Sequence, residues 1–87
     1  MVNKTVQIDW TDGVEMKSIA LLIQKASAFS SIVYISKGDR RANAKSLLGM
    51  MSLGIEDGDE LEISAEGSDE EEAVQVIADF LENQALD

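Results

Sequence analysis

The spacing between apolar residues changes repeatedly along this chain, from two to about three and a half and back, and that alternation limits the fold most. Val2, Lys4, Val6, Ile8 and Trp10 alternate with Asn3, Thr5, Gln7 and Asp9. A period of two sends one set of side chains to one side, so residues 2–10 read as a half-buried strand. Thr11-Asp12-Gly13 is a turn signal. Ile19, Leu22, Ile23 and Ala26 then follow i, i+3, i+4, i+7 spacing, which predicts a helix over 16–28. Ile32 to Ser36 reads as a strand, Lys37-Gly38-Asp39 as a tight hairpin turn, and Arg40 to Asn43 as a short return strand.

Ser46 suits a helix N-cap, because its oxygen can accept a backbone amide of the first turn. Leu47, Leu48, Met50 and Met51 form the short helix it opens, and Gly54 stops it. Asp57-Gly58-Asp59 is a further turn, after which Leu61, Ile63 and Ala65 alternate with Glu60, Glu62 and Ser64. Ser68-Asp69-Glu70-Glu71 reads as a capping box, and Ala73, Val76, Ile77, Phe80 and Leu81 give the last helix an apolar stripe. The resulting order, β-α-β-β-α-β-α, is that of an α+β two-layer fold with helices on one face of four short strands. Eighty-seven residues leave room for one core, so residues 1–87 are expected to form a single domain.

Composition removes several classes of function. There is no cysteine and no histidine, so neither a thiolate site nor the usual ligands of a structural zinc are available. Glu56, Asp57, Asp59 and Glu60 lack calcium-loop spacing and read as solvated surface, while Asp69 to Glu72 complement a helix start. No metal or cofactor is expected. A net charge of -10 argues against direct nucleic-acid binding. The apolar run Ile19 to Ile23 is far short of a membrane span, and the opening Met1-Val2-Asn3-Lys4 lacks a signal-peptide layout, so the expected location is cytoplasmic. The charge is unevenly spread. Six of the seven basic residues lie between Lys17 and Lys45, and Glu56 to Asp87 holds thirteen acids and no base, which permits a local basic face.

Taken with the length and element order, the segment Lys45-Ser-Leu-Leu-Gly-Met-Met-Ser-Leu-Gly54 resembles the HPr family, the histidine-containing phosphocarrier proteins of the sugar phosphotransferase system. The resemblance covers essentially the whole chain, and Asn43 and Gly13 stand where the family has them. It implies an open-faced β-sandwich, with a four-stranded antiparallel sheet in the order 1-4-2-3 and three helices on one face. The family carries a phosphorylatable histidine where the first helix opens, in a Gly-Ile-His-Ala-Arg-Pro-like motif, and a regulatory serine. Here the corresponding stretch is Gly13-Val14-Glu15-Met16-Lys17-Ser18. Glu15 takes the place of histidine, Lys17 of arginine and Ser18 of proline, while the serine site matches Ser46. The pattern is similar to the Crh-like branch of the family, which lacks the histidine and keeps the serine.

That resemblance implies a non-catalytic regulatory protein of carbon catabolite repression. An ATP-dependent HPr kinase/phosphorylase would modify Ser46, and the product would act as corepressor of a LacI-type catabolite control regulator. It also implies that Leu47, Leu48 and Met51 meet the partner beside the serine, with Lys17 and Lys45 adding charge. Both a monomer and a homodimer exchanging the first strand are expected states.

The residues themselves bear on these roles. An imidazole accepts and surrenders phosphoryl near neutral pH, whereas Glu15 would need an acyl phosphate and would set a negative charge against an anionic donor. Glu15 also suits the positive end of a helix, and it carries one of the charges of a phosphohistidine. Ser46 can be both cap and phosphorylation site. A helix this short cannot bury Leu47, Leu48, Met50, Met51 and Leu53 together, so some must form an exposed patch. The other readings are a phosphocarrier of the phosphotransferase system, or a constitutive interaction protein that binds a transporter subunit or metabolic enzyme.

Overall fold

The computed structural model describes residues 1–10 and 16–83. Its elements are β1 (Val2–Gln7), α1 (Met16–Ser27), β2 (Ile32–Lys37), β3 (Arg40–Asn43), α2 (Leu47–Ser52), β4 (Glu60–Glu66) and α3 (Glu70–Asn83). All strand pairs are antiparallel, in the order β1-β4-β2-β3, with the three helices on one face. The element order is the one expected from residue spacing, and the sheet order is the one implied by the family resemblance.

Pairing register follows from the alternation. Val6 faces Leu61, Ile63 faces Ile35, and Ile35 faces Ala42, so the buried side chains form continuous rows under the helices. A slip of one residue would turn each row out to water, so the pattern fixes the pairing. Asn3, Thr5, Gln7, Glu60 and Glu62 line the open face and are exposed. The helices close the core with Ile19, Leu22 and Ala26 of α1, Met50 of α2, and Ala73, Val74, Ile77, Ala78, Phe80 and Leu81 of α3.

Three details differ from the sequence expectation, each for a local reason. β1 ends at Gln7, although Ile8 and Trp10 continue the alternation and are buried. The partner strand runs out there: Ile8 bonds the turn instead, through Asp59 O (2.9 Å) and Gly58 N (3.1 Å). Asp9 N then reaches Leu81 O at 3.1 Å, and Trp10 N reaches Asp57 Oδ1 at 2.8 Å. The Trp10 indole packs edge-on against Phe80, at 5.6 Å between ring centres, and donates to Phe80 O at 3.4 Å. The second difference lies in α3, where Val74 enters the core and Val76 stays at its margin, because α3 packs against both β1 and β4 as well as α1.

The third difference concerns the acids. In place of a Ser68–Glu71 box, Glu70 reaches back to Gly67 N at 3.1 Å, one residue earlier. Asp69 turns across the fold: its carboxylate accepts from Ser30 N (2.9 Å), from Ser31 N (2.9 Å) and from the buried Ser31 hydroxyl. This ties the start of β2 to the start of α3, two segments 38 residues apart. Gly67 is needed at this junction. A Cβ there would lie 2.7 Å from the Ser31 Cα, and its φ of +154° disfavours any side chain. Asp57 and Asp59, expected as solvated surface, likewise tether loops. Asp59 accepts from Glu56 N at 2.7 Å and pairs with Lys37 Nζ at 2.8 Å.

The tether at Asp69 makes stability depend on pH. Hydrogen bonds from the Ser31 hydroxyl and the Ser30 amide favour the ionised carboxyl and lower its pKa from the ordinary 3.8. A group whose folded pKa is lowered contributes fully above its unfolded value, and the contribution fades as pH falls through the folded value. The Asp69→Asn protein should therefore melt below the wild type at pH 7, with the difference shrinking toward acid. Thermal melts across pH check this, and parallel wild-type and variant curves would refute it.

Candidate functional site

The candidate site is built on α2 and begins with the backbone ahead of it. Asn43 ends β3 and turns the chain, its Oδ1 accepting from Lys45 N at 2.8 Å and its carbonyl from Ser46 N at 3.0 Å. Ser46 is extended, at φ -110° and ψ 116°, and caps α2 by accepting from Gly49 N at 3.1 Å. Its carbonyl takes the first helical bond, from Met50 N at 2.9 Å. Gly49 lets this cap close, since a Cβ there would stand 3.3 Å from the Ser46 Oγ and 3.5 Å from the Ala42 Cβ. The N-cap expected from the sequence is present, and Ser46 is half-buried at the helix start.

Helical geometry then sorts the apolar residues. Met50 is fully buried and Leu53 nearly so, and they pin α2 to the core. Leu47, Leu48 and Met51 face outward, at 46%, 77% and 50% exposure. The patch inferred from helix length is thus present, and the residues expected to meet a partner are the exposed ones. α2 packs against α1 and β3. Lys17, in the first turn of α1, is exposed, as is Met16 beside it. Met16 keeps the spacing of the α1 stripe, three residues ahead of Ile19, but opens the helix and falls beyond the core. Glu15, the residue at the histidine position, lies outside the described residues, as do its neighbours Gly13 and Val14.

The basic residues near Ser46 in sequence do not gather around it. Lys37 Nζ donates to Gly54 O at 2.6 Å, and Arg40 Nη1 donates to Ser52 O at 3.3 Å. Both cations therefore sit at the far end of α2, where carbonyls are left without helical partners. Ser52 Oγ also donates to Leu48 O at 2.9 Å. Arg41 lies over the Tyr34 ring, 3.8 Å from its centre. Lys45, the nearest base to Ser46, is half-buried, and its ammonium donates to Phe29 O at 2.8 Å, in the turn after α1. The expected local basic face is thus not gathered around Ser46: Lys37, Arg40, Arg41 and Lys45 are each engaged elsewhere, and Lys17 is exposed on α1.

A family model described as the PTS HPr component phosphorylation site matches residues 2–83. The chain belongs to the HPr family. It is 37% identical over 84 residues to the HPr-like protein Crh of Halalkalibacterium halodurans, covering 97% of this chain and 100% of that one. The crystal structure of a phosphocarrier protein HPr from Bacillus anthracis strain Ames is similar, with a TM-score of 0.89, 38% identity, and coverage of 93% of this chain and 96% of that one. So is Crh, the Bacillus subtilis catabolite repression protein, in a crystal structure described as a swapped-domain dimer. The TM-score is 0.77 and the identity 32%, with coverage of 94% of this chain and 90% of that one. Within the HPr family, this chain is thus similar to proteins named Crh. Among the described residues, no group of acids could hold a metal ion, and no helix is long and apolar enough to cross a membrane.

The cap at Ser46 predicts a measurable stability effect. Ser46→Ala removes the acceptor for Gly49 N and should cost about 1 kcal/mol, whereas Ser46→Gly should cost only about a few tenths of a kcal/mol. Urea denaturation checks this, and a Ser46→Ala protein as stable as the wild type would contradict the capping role.

Proposed function

We propose that this protein is a Crh-like regulator of carbon catabolite repression, switched by phosphorylation of Ser46. The observation that carries the reading is the pairing of a half-buried serine at the start of α2 with Leu47, Leu48 and Met51 exposed directly after it. Apolar side chains held outward by a helix whose other side is anchored form a preformed contact surface. An HPr kinase/phosphorylase would transfer the γ-phosphoryl of ATP to the Ser46 oxygen, releasing ADP and the hydroxyl proton. The product carries nearly two additional negative charges beside the apolar patch. A LacI-type catabolite control regulator would read both features together, the phosphate by its own cations and the leucines by an apolar pocket.

Lys17 and Lys45 would add charge contacts of unequal kind. Lys17 is exposed, whereas Lys45 must first exchange its bond to Phe29 O. The absence of histidine removes the phosphocarrier chemistry of the family, which supports the regulatory reading over the carrier one. β1 is an edge strand, paired with β4 alone, so exchange of β1 between two copies is a consistent second state. A swapped dimer of Crh from Bacillus subtilis supports it.

Incubation with an HPr kinase/phosphorylase and ATP, followed by peptide mass spectrometry, tests the switch. One phosphoryl group on Ser46, absent from Ser46→Ala, is the expected result. An unmodified protein, or modification elsewhere that survives Ser46→Ala, would overturn the proposal.

A further inference from the structure

The chain has no cysteine, so its four methionines are its only sulfur atoms. The fold treats two adjacent ones in opposite ways. Met50 is completely buried in the core, while Met51 is half exposed on the outer side of the same helix, beside Leu47 and Leu48. Met16, at the start of the neighbouring α1, is 54% exposed. A thioether is apolar and adaptable, and so suits a docking surface, but it is also the group there most open to oxidation.

We propose that Met51 is a reversible oxidation site, and that its oxidation by a hydroperoxide weakens docking at the α2 patch. The Met51 sulfur attacks a peroxide oxygen. The S–O bond forms as the O–O bond breaks, and water leaves when the oxidant is hydrogen peroxide, or an alcohol when it is an organic hydroperoxide. Sulfur loses two electrons and the peroxide gains them. The sulfoxide is polar, and burying it unpaired against an apolar pocket is unfavourable. The core is spared, because Met50 on the opposite side is inaccessible to the oxidant. The switch therefore acts on the surface without unfolding the protein. Its effect on regulation rests on the docking role proposed above; the selectivity of the chemistry does not.

The test is treatment of the intact protein with hydrogen peroxide, with sulfoxides mapped by peptide mass spectrometry over time. Met51 should gain oxygen well before Met50, with Trp10 fluorescence unchanged. The oxidised protein should leave a hydrophobic-interaction column earlier. Met51→Leu, which keeps the apolar surface, should show a smaller peroxide-induced shift, and a methionine sulfoxide reductase should restore the wild-type retention. Affinity of the Ser46-phosphorylated protein for the regulator should fall about tenfold on oxidation, and not in Met51→Leu. Equal oxidation of Met50 and Met51, unchanged retention, or unchanged regulator affinity would overturn the proposal. If the phosphorylated, unoxidised protein fails to bind the regulator, the docking reading falls, and the oxidation map and column retention still decide this one.

Discussion

A six-residue helix cannot bury apolar side chains on all sides. In α2 the demand of the core is met by Met50, supported by Leu53 at the helix end, and this fixes the helix about its own axis. Leu47, Leu48 and Met51 are then outward by geometry, and Ser46 stands at the edge of the surface they form. What α2 exposes follows from what the core takes in. Gly49 permits this arrangement by letting the cap close on Ser46 and Ala42.

Charge supports the helix from outside. Lys37 and Arg40 hold the carbonyls of Gly54 and Ser52, and Asp59 receives Lys37 in turn. At the other end, Lys45 ties the segment before α2 to the turn after α1. Elsewhere Asp57 and Asp69 join loops distant in sequence through backbone amides. A chain with a net charge of -10 thus spends several of its acids on internal tethers rather than leaving all of them to solvent.

Most of the architecture was legible in residue spacing, because burial on one face imposes a period on every strand and helix. The alternation in Leu61, Ile63 and Ala65 and the stripe of Ile19, Leu22 and Ala26 identify their elements without help from tertiary structure. The sheet order came from the family resemblance, since spacing says nothing about which strands neighbour one another. Capping at Ser46 was legible for a different reason: the cap is a local bond within four residues. The long-range features were not. Nothing near Asp69 in sequence reveals Ser30 and Ser31 as its partners, and nothing near Lys37 shows that it belongs with Gly54. Val74 was missed because a helix covered on two sides buries a wider arc than a single stripe suggests. Lys45 stands out in the sequence for its position beside Ser46, but its bond to Phe29 emerges only when the turn after α1 meets the segment before α2.

The central claim is that one surface, Ser46 with Leu47, Leu48 and Met51, is what a partner reads. Mapping of backbone amide shifts by nuclear magnetic resonance, as a LacI-type regulator is titrated into the Ser46-phosphorylated protein, tests it most directly. The account predicts shifts concentrated at residues 46–52 and around Lys17, and much weaker ones in the unphosphorylated protein. Shifts centred on the open face of the sheet, around Thr5, Ser36 and Glu62, or equal in both forms, would contradict it.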